Sequence, residues 1–424
     1  MLKATKHTLP GGLRVILAPM PDSPTVTVKV SVETGSKYES KKEAGLSHFL
    51  EHMCFKGTKK RPSAQHVARD LDEIGAVYNA YTDTEITSYY AKASSKNVSK
   101  LIDIVSDIYL NTVFRDEDAK KEKGVITEEI NMREDQPEII AAELFNHAVH
   151  GDQPAGRSII GSKKSVSSFT KKDFNNYHRK HYVASATVLT VAGSFNSQKI
   201  LKQIRDAFKN VSHGGKHGKE RTRISHRNKQ VVVRGKKTDQ VHLVLGVRSF
   251  PYSDKRNTAL AVLRGVLSHG MSSRLWIKMR EELGICYYIS SHNSPSTDHG
   301  EFMVVSGVDP KRIGVATDAI CKELKRLKEE SVGGKELKRV KGAMTSVLNM
   351  SLESSDEVAA YFAGRAIFHH DLKTPKQIEK EIRKVSARNI RTIARKIFTD
   401  KDLTLAVVGK NLKKNQLVKI LSLA

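Results

Sequence analysis

The sequence predicts an α+β protein: a tandem duplication of two similar α/β-sandwich domains, each a mostly antiparallel sheet covered by helices. Three observations point there. The chain has 424 residues, about twice what a single core of roughly 200 residues organises. A polar, glycine-bearing stretch, NVSHGGKHGKERTRISHRNK (Asn210–Lys229), sits near its midpoint. Strand and helix patterns recur in the same order on either side of that stretch.

The first recurrence pairs TVTVKVSV with QVHLVLGV, beginning at Thr25 and Gln240. Each is a β-branched run followed by a polar turn and a helix-patterned segment. The second pairs the segments from Ile86 and Gly300, an alternating strand leading into an amphipathic helix. The third pairs the segments from Asp173 and Asn389, a helix followed by an apolar strand that ends at glycine, ATVLTVAG in one and DLTLAVVG in the other. Three correspondences in one order imply duplication. The expected division is residues 1–212 for the first domain, 213–229 for a basic Gly/His-rich linker and 230–424 for the second domain, each burying its own core. His213, His217 and His226 in the linker lie among basic and polar residues without a cysteine and read as solvated rather than metal-binding.

Composition narrows the function classes. Hydrophobic content of 39% and charged content of 28% fit a globular chain and fit neither a disordered nor a membrane class. Apolar runs have strand length, far short of the ~18 residues that span a bilayer, so no membrane partner is expected. The turn Pro10-Gly11-Gly12 falls where a signal peptide would need an unbroken apolar run, and a cytoplasmic location is expected. Cys54, Cys286 and Cys321 are too few and scattered for a disulfide framework and read as reduced thiols. The net charge of +26 could serve nucleic-acid binding. No RNA- or DNA-binding signature accompanies it, so a lysine-rich solvated surface is the expected reading.

Chemistry concentrates in GLSHFLEHMCFKGT (Gly45–Thr58). At ~100° per residue, His48 and His52 lie one helical turn apart and their imidazoles can converge on one ion. Glu51 falls on the same face, in reach of a water proton. Two histidines leave a zinc ion short of a third protein ligand, so a distant one is predicted. The acid-rich helical stretch from Asp116 offers Glu122 and Glu129, seven residues apart and on nearly one face, with Glu128 rotated away by about 100°. Such a pair suits a ligand and a supporting carboxylate.

Taken together these segments resemble the pitrilysin/insulinase family of zinc metallopeptidases, in its processing-peptidase-like short branch. The resemblance covers nearly the whole chain: GLRVILAPMPDSPTVTVKVSVETGS is similar to the family's N-terminal strand pair, GLSHFLEHMCFKGT to its inverted HxxEH zinc motif, YNAYTDTEITSYYAK to its substrate-side strand and KEKGVITEEINMREDQP to its third-ligand helix. It implies Glu129 as the third ligand and Glu122 as its support, with Lys123 standing where arginine is more usual. In GMSSRLWIKMREELGICYYISS it implies that Arg280 and Tyr287 bind the substrate backbone and stabilise the oxyanion, Tyr288 being the rival tyrosine.

The resemblance therefore implies a zinc-dependent endopeptidase with one Zn²⁺ per chain, held by His48, His52 and Glu129, and with Glu51 as general base. Unfolded peptides would lie along the strand holding Asn79 and Ala80, inside a closed dimer chamber. A homodimer is expected because one chain carries both the zinc motif and the Arg/Tyr pair; a heterodimer with a related subunit is the other arrangement found in the family. The positive charge favours acidic or neutral peptides over basic ones. Two rival readings are a catalytically silent structural subunit of the family and a basic nucleic-acid-binding protein.

Overall fold

The computed structural model describes residues 2–224 and 228–423; His226 of the linker lies outside them. Among the described residues, eleven strands build two sheets. The first holds β1 (Thr5–Thr8), β2 (Arg14–Pro19), β3 (Thr25–Val32), β4 (Val77–Thr82), β5 (Thr87–Ser94) and β6 (Thr187–Gly193), in the order β1-β2-β6-β3-β5-β4. The second holds β7 (Gln230–Gly235), β8 (Val241–Arg248), β9 (Cys286–Pro295), β10 (Gly300–Val308) and β11 (Thr404–Gly409), in the order β7-β11-β8-β10-β9.

Apart from β1, the two orders are one pattern. β2 runs parallel to β6 as β7 does to β11, and every other neighbouring pair is antiparallel. Both sheets are thus mixed, with one parallel pair each, and the duplication predicted from sequence is present in the connectivity. The helices repeat with them: Leu46–Cys54 with Asn257–Ser268, Val98–Leu110 with Ile313–Glu329, and Lys171–His181 with Ala387–Ile397.

Alternation along β3 shows how each sheet is used. Val26, Val28, Val30 and Val32 enter the main core of the first unit beside Leu46, Phe49 and Leu50 of the helix Leu46–Cys54. The intervening residues Thr27, Lys29 and Ser31 are also buried, on the opposite face. A strand buried on both faces needs cover on both.

That second cover comes from outside the contiguous halves. The first compact unit comprises residues 1–131, 158–220 and 349–375, and the second comprises 132–157, 221–348 and 376–424. In the first unit Val358, Ala359 and Phe362 of the helix Ser355–Gly364 pack on Ile16, Val188 and Ala192. In the second, Ile140, Ala141 and Phe145 of the helix Pro137–His150 pack on Val244, Ala406 and Val408. The expected cut at 212 and 230 therefore differs from the observed units: each half contributes one helix to the other unit's sheet. The reason is the central strands buried on both faces, which a single layer of helices leaves half covered. No helix among the described residues is long and apolar enough to cross a membrane.

Candidate metal centre

The helix Leu46–Cys54 is held at its start by a buried carboxylate. Glu39 Oε2 accepts from the Gly45 N–H at 2.8 Å and its Oε1 accepts from the Ser47 N–H at 2.6 Å. These bonds satisfy donors that a helix N-terminus leaves open. Burial pushes the Glu39 carboxyl up to about 7, against the pull of those N–H groups. Gly45 has φ 94, and a Cβ there would meet the Ile160 carbonyl oxygen at 2.7 Å, so glycine is required twice over. Leu46, Phe49, Leu50 and Met53 anchor one side of the helix in the core. The other side presents His48, Glu51 and His52.

The acidic helix Asp116–Glu134 packs against them through Ala119, Ile126 and Ile130. Beside that stripe Glu122 is buried and Glu129 half-buried, whereas Glu128 is exposed. His48 Nε2 lies 3.3 Å from His52 Nε2, and Glu129 Oε2 lies 3.5 Å from the first and 3.7 Å from the second. Donors held ~2.0–2.1 Å from a tetrahedral zinc stand about 3.3 Å apart, so these three atoms fit such an ion with almost no adjustment.

Around the three donors, His52, Glu122 and Glu51 have fixed partners. His52 Nδ1 donates to Glu122 Oε1 at 2.8 Å, which leaves its Nε2 as the lone-pair nitrogen facing His48. Lys56 pairs with the other oxygen of Glu122. Burial opposes ionisation of Glu122, but the His52 and Lys56 bonds win and hold its carboxyl below the usual range. Burial likewise works against the His52 cation, and the Glu122 bond with the nearby acids outweighs it and raises His52. Glu51 accepts from Thr82 Oγ1 at 2.7 Å; burial raises its carboxyl despite that bond and the neighbouring His52. Burial pushes the Cys54 thiol up to about 12, and its sulfur is not among the donors that converge with His48, His52 and Glu129.

The other sequence candidates fall as follows. Asn79 and Ala80 are on β4, which among the described residues pairs with β5 alone and forms the sheet edge. The Ala80 N–H is taken by the Asn79 side chain at 2.8 Å. Ala80 packs towards the core of the first unit and Asn79 is exposed. Arg280 and Tyr287 belong to the second unit. Arg280 sits in a π-helical turn, Ile277–Glu282, donates to the Cys286 carbonyl at 2.8 Å and lies 5.3 Å from the centre of the Tyr287 ring. Tyr287 is 72% exposed, whereas Tyr288 is half-buried with its hydroxyl 2.9 Å from His242 Nδ1. Glu39 and Thr82 escaped the sequence reading; Glu39 lies in the polar turn before the motif, where nothing distinguishes a capping carboxylate from a solvated one.

Two histidines and a carboxylate at ligand spacing, with Glu51 on the histidine helix, form a group that could hold a metal ion on a duplicated α/β scaffold. The family model described as insulinase (peptidase family M16) matches residues 14–163, and that of the peptidase M16 inactive domain matches residues 168–344. The chain belongs to this family. It is 32% identical over 405 residues to the Bacillus subtilis protein named uncharacterized zinc protease YmxG, covering 95% of this chain and 98% of that one. It is 34% identical over 410 residues to an uncharacterized zinc protease of Rickettsia felis, covering 95% and 97%. Among solved structures, a protease from Helicobacter pylori superposes with a TM-score of 0.89 at 23% identity, over 96% of this chain and all 100% of that one. A chain of complex III2 from Candida albicans gives 0.85 at 17% identity, over 98% and 99%; at such identities the likeness is one of fold.

Proposed function

We propose that the protein is a zinc-dependent endopeptidase that hydrolyses unfolded peptides. The observation that carries this reading is the trio of His48 Nε2, His52 Nε2 and Glu129 Oε2, 3.3–3.7 Å apart, the two histidines sharing their helix with Glu51 and Glu129 coming from the helix Asp116–Glu134. The relatives' names, zinc proteases matched over nearly their full length, support it.

His48, His52 and Glu129 would hold the ion, which when bound supplies a Lewis acid for water and the scissile carbonyl. Glu51 takes the proton from the attacking water and passes it to the leaving amine, a role helped by a carboxyl raised by burial and aimed by Thr82. Glu122 keeps His52 in the tautomer whose Nε2 carries the lone pair. The edge strand β4 offers its backbone to an extended peptide, and the substrate carbonyl replaces the Asn79 oxygen at the Ala80 N–H. Backbone pairing binds unfolded segments without demanding one sequence. Arg280 and Tyr287 supply a guanidinium and an exposed phenol for the oxyanion. They act within a closed homodimer chamber, each chain serving its partner's metal centre.

The test is metal analysis coupled to cleavage of an unfolded peptide by wild type and Glu51→Gln. The variant should keep its zinc and lose turnover by about 10²–10⁴-fold. Wild type that binds zinc and cleaves nothing would leave the silent structural subunit as the better reading. Steeply salt-dependent oligonucleotide binding in place of cleavage would favour the nucleic-acid reading.

A further inference from the structure

The second unit contains another convergence of metal-ligating side chains, built from residues far apart in sequence. His150 ends the helix Pro137–His150, and Gly151, with φ 68, turns the chain away from it. His299 and Glu301 flank Gly300 at the start of β10, where a two-residue spacing puts both on one face. His150 Nε2 is 2.6 Å from Glu301 Oε1, and His299 Nε2 is 3.3 Å from that same oxygen. The two imidazole centres are 4.6 Å apart. His150 and Glu301 are buried and His299 is half-buried.

The convergence of three donor atoms, with a carboxylate fixed behind one of them, is what argues for a ligand. His299 Nδ1 donates to Asp298 Oδ1 at 2.8 Å, and Asp298 Oδ2 is fixed by the Thr222 N–H, also at 2.8 Å. His299, held at Nδ1 by Asp298, presents its Nε2 to the Glu301 oxygen. The first centre has the same arrangement, Glu122 standing behind His52 as Asp298 stands behind His299. A carboxylate behind a ligating histidine fixes its tautomer and strengthens it as a ligand.

We propose that His150, His299 and Glu301 bind a second divalent transition-metal ion, separate from the catalytic one and structural in effect. Two imidazoles and one carboxylate suit zinc rather than magnesium or calcium, which prefer oxygen donors. Entry of the ion needs the His150–Glu301 contact to open from 2.6 Å by roughly 0.7 Å towards tetrahedral spacing. The ion would pin the end of the helix Pro137–His150, which covers one face of the second sheet, to the start of strand β10. Binding to the folded state alone then raises stability.

The experiment strips the full chain of metal and titrates it with Zn²⁺, reading bound metal per chain and thermal midpoint. Wild type should take up two equivalents and His52→Ala, which disables the first centre, one equivalent with a rise in midpoint. In the His52→Ala background, His299→Gln should abolish that remaining equivalent, while Asp298→Asn, which leaves all three ligands, should weaken it by about 10–100-fold. The metal-free midpoints and circular dichroism of these variants should match, separating lost binding from lost folding. If His52→Ala does not fold, the wild-type stoichiometry decides. A single equivalent in wild type, or uptake unchanged by His299→Gln, overturns the proposal.

Discussion

His52 and Glu122, 70 positions apart in the chain, are joined by a 2.8 Å hydrogen bond from Nδ1 to Oε1. That bond decides which nitrogen of His52 can meet a metal. Glu122→Gln should therefore weaken zinc binding by about 10–100-fold while leaving all three donors in place. Activity should fall at limiting zinc and recover at saturating zinc, a pattern that loss of a catalytic group would not give. Competition with a chromophoric chelator measures the affinity directly; an unchanged zinc affinity would remove Glu122 from the positioning role.

Glu39 makes a separate prediction because it touches no ligand. Its two oxygens take the N–H groups of Gly45 and Ser47 in a buried site. Glu39→Ala strands both donors, at about 1–3 kcal/mol each, and should lower the thermal midpoint and loosen the histidine helix. Glu39→Gln keeps one acceptor oxygen and should fall between the two. Thermal melts of the metal-free proteins compare them without contribution from zinc, and equal midpoints for all three would show that the helix start does not depend on this cap.

Lys29 gives the protein a pH signature of its own. It is buried in β3, its ammonium lying 4.5 Å from the ring centre of Tyr81 and 5.1 Å from that of Tyr90, and burial lowers its pKa from 10.5 to about 7. Between pH 7 and 10.5 the unfolded chain holds this proton more firmly than the folded one, so stability should rise with pH across that window. Below pH 7 both states are charged and the dependence stops. Lys29→Met should be more stable than wild type at pH 7, with an advantage that shrinks towards pH 10. Denaturant melts at several pH values check this; parallel curves for the two proteins would contradict it.

These cases mark what a sequence can disclose here. His48, Glu51 and His52 were legible because helical spacing alone places them on one face, and the duplicated strand order because β-branched runs recur. Glu129 needed more, since angular position on its helix paired it with Glu122 without ranking the two. The exchange of the helices Pro137–His150 and Ser355–Gly364 between units was hidden, because amphipathic helices do not specify which sheet they cover. A trace of it existed in β6, whose residues Thr187–Gly193 are all buried and so demand cover on both faces. The cluster of His150, His299 and Glu301 carried no local signal at all, its members being 149 positions or more apart except for the last two.

The proposed homodimer can be tested by complementation. Glu51 belongs to the first unit and Tyr287 to the second. If each active site joins the first unit of one chain to the second unit of its partner, a Glu51→Gln chain and a Tyr287→Phe chain carry lesions in different halves of that site. In a mixed dimer one composite site then receives both lesions and the other receives neither. Random exchange in an equal mixture makes half the dimers mixed, so roughly a quarter of wild-type activity should return. Each variant alone should stay near its own residual rate. The mixture must be unfolded and refolded together, or co-expressed, so that subunits exchange. Activity that stays at the mean of the two variants, in a preparation shown by tag capture to contain mixed dimers, would mean that Tyr287 does not serve the partner's metal centre.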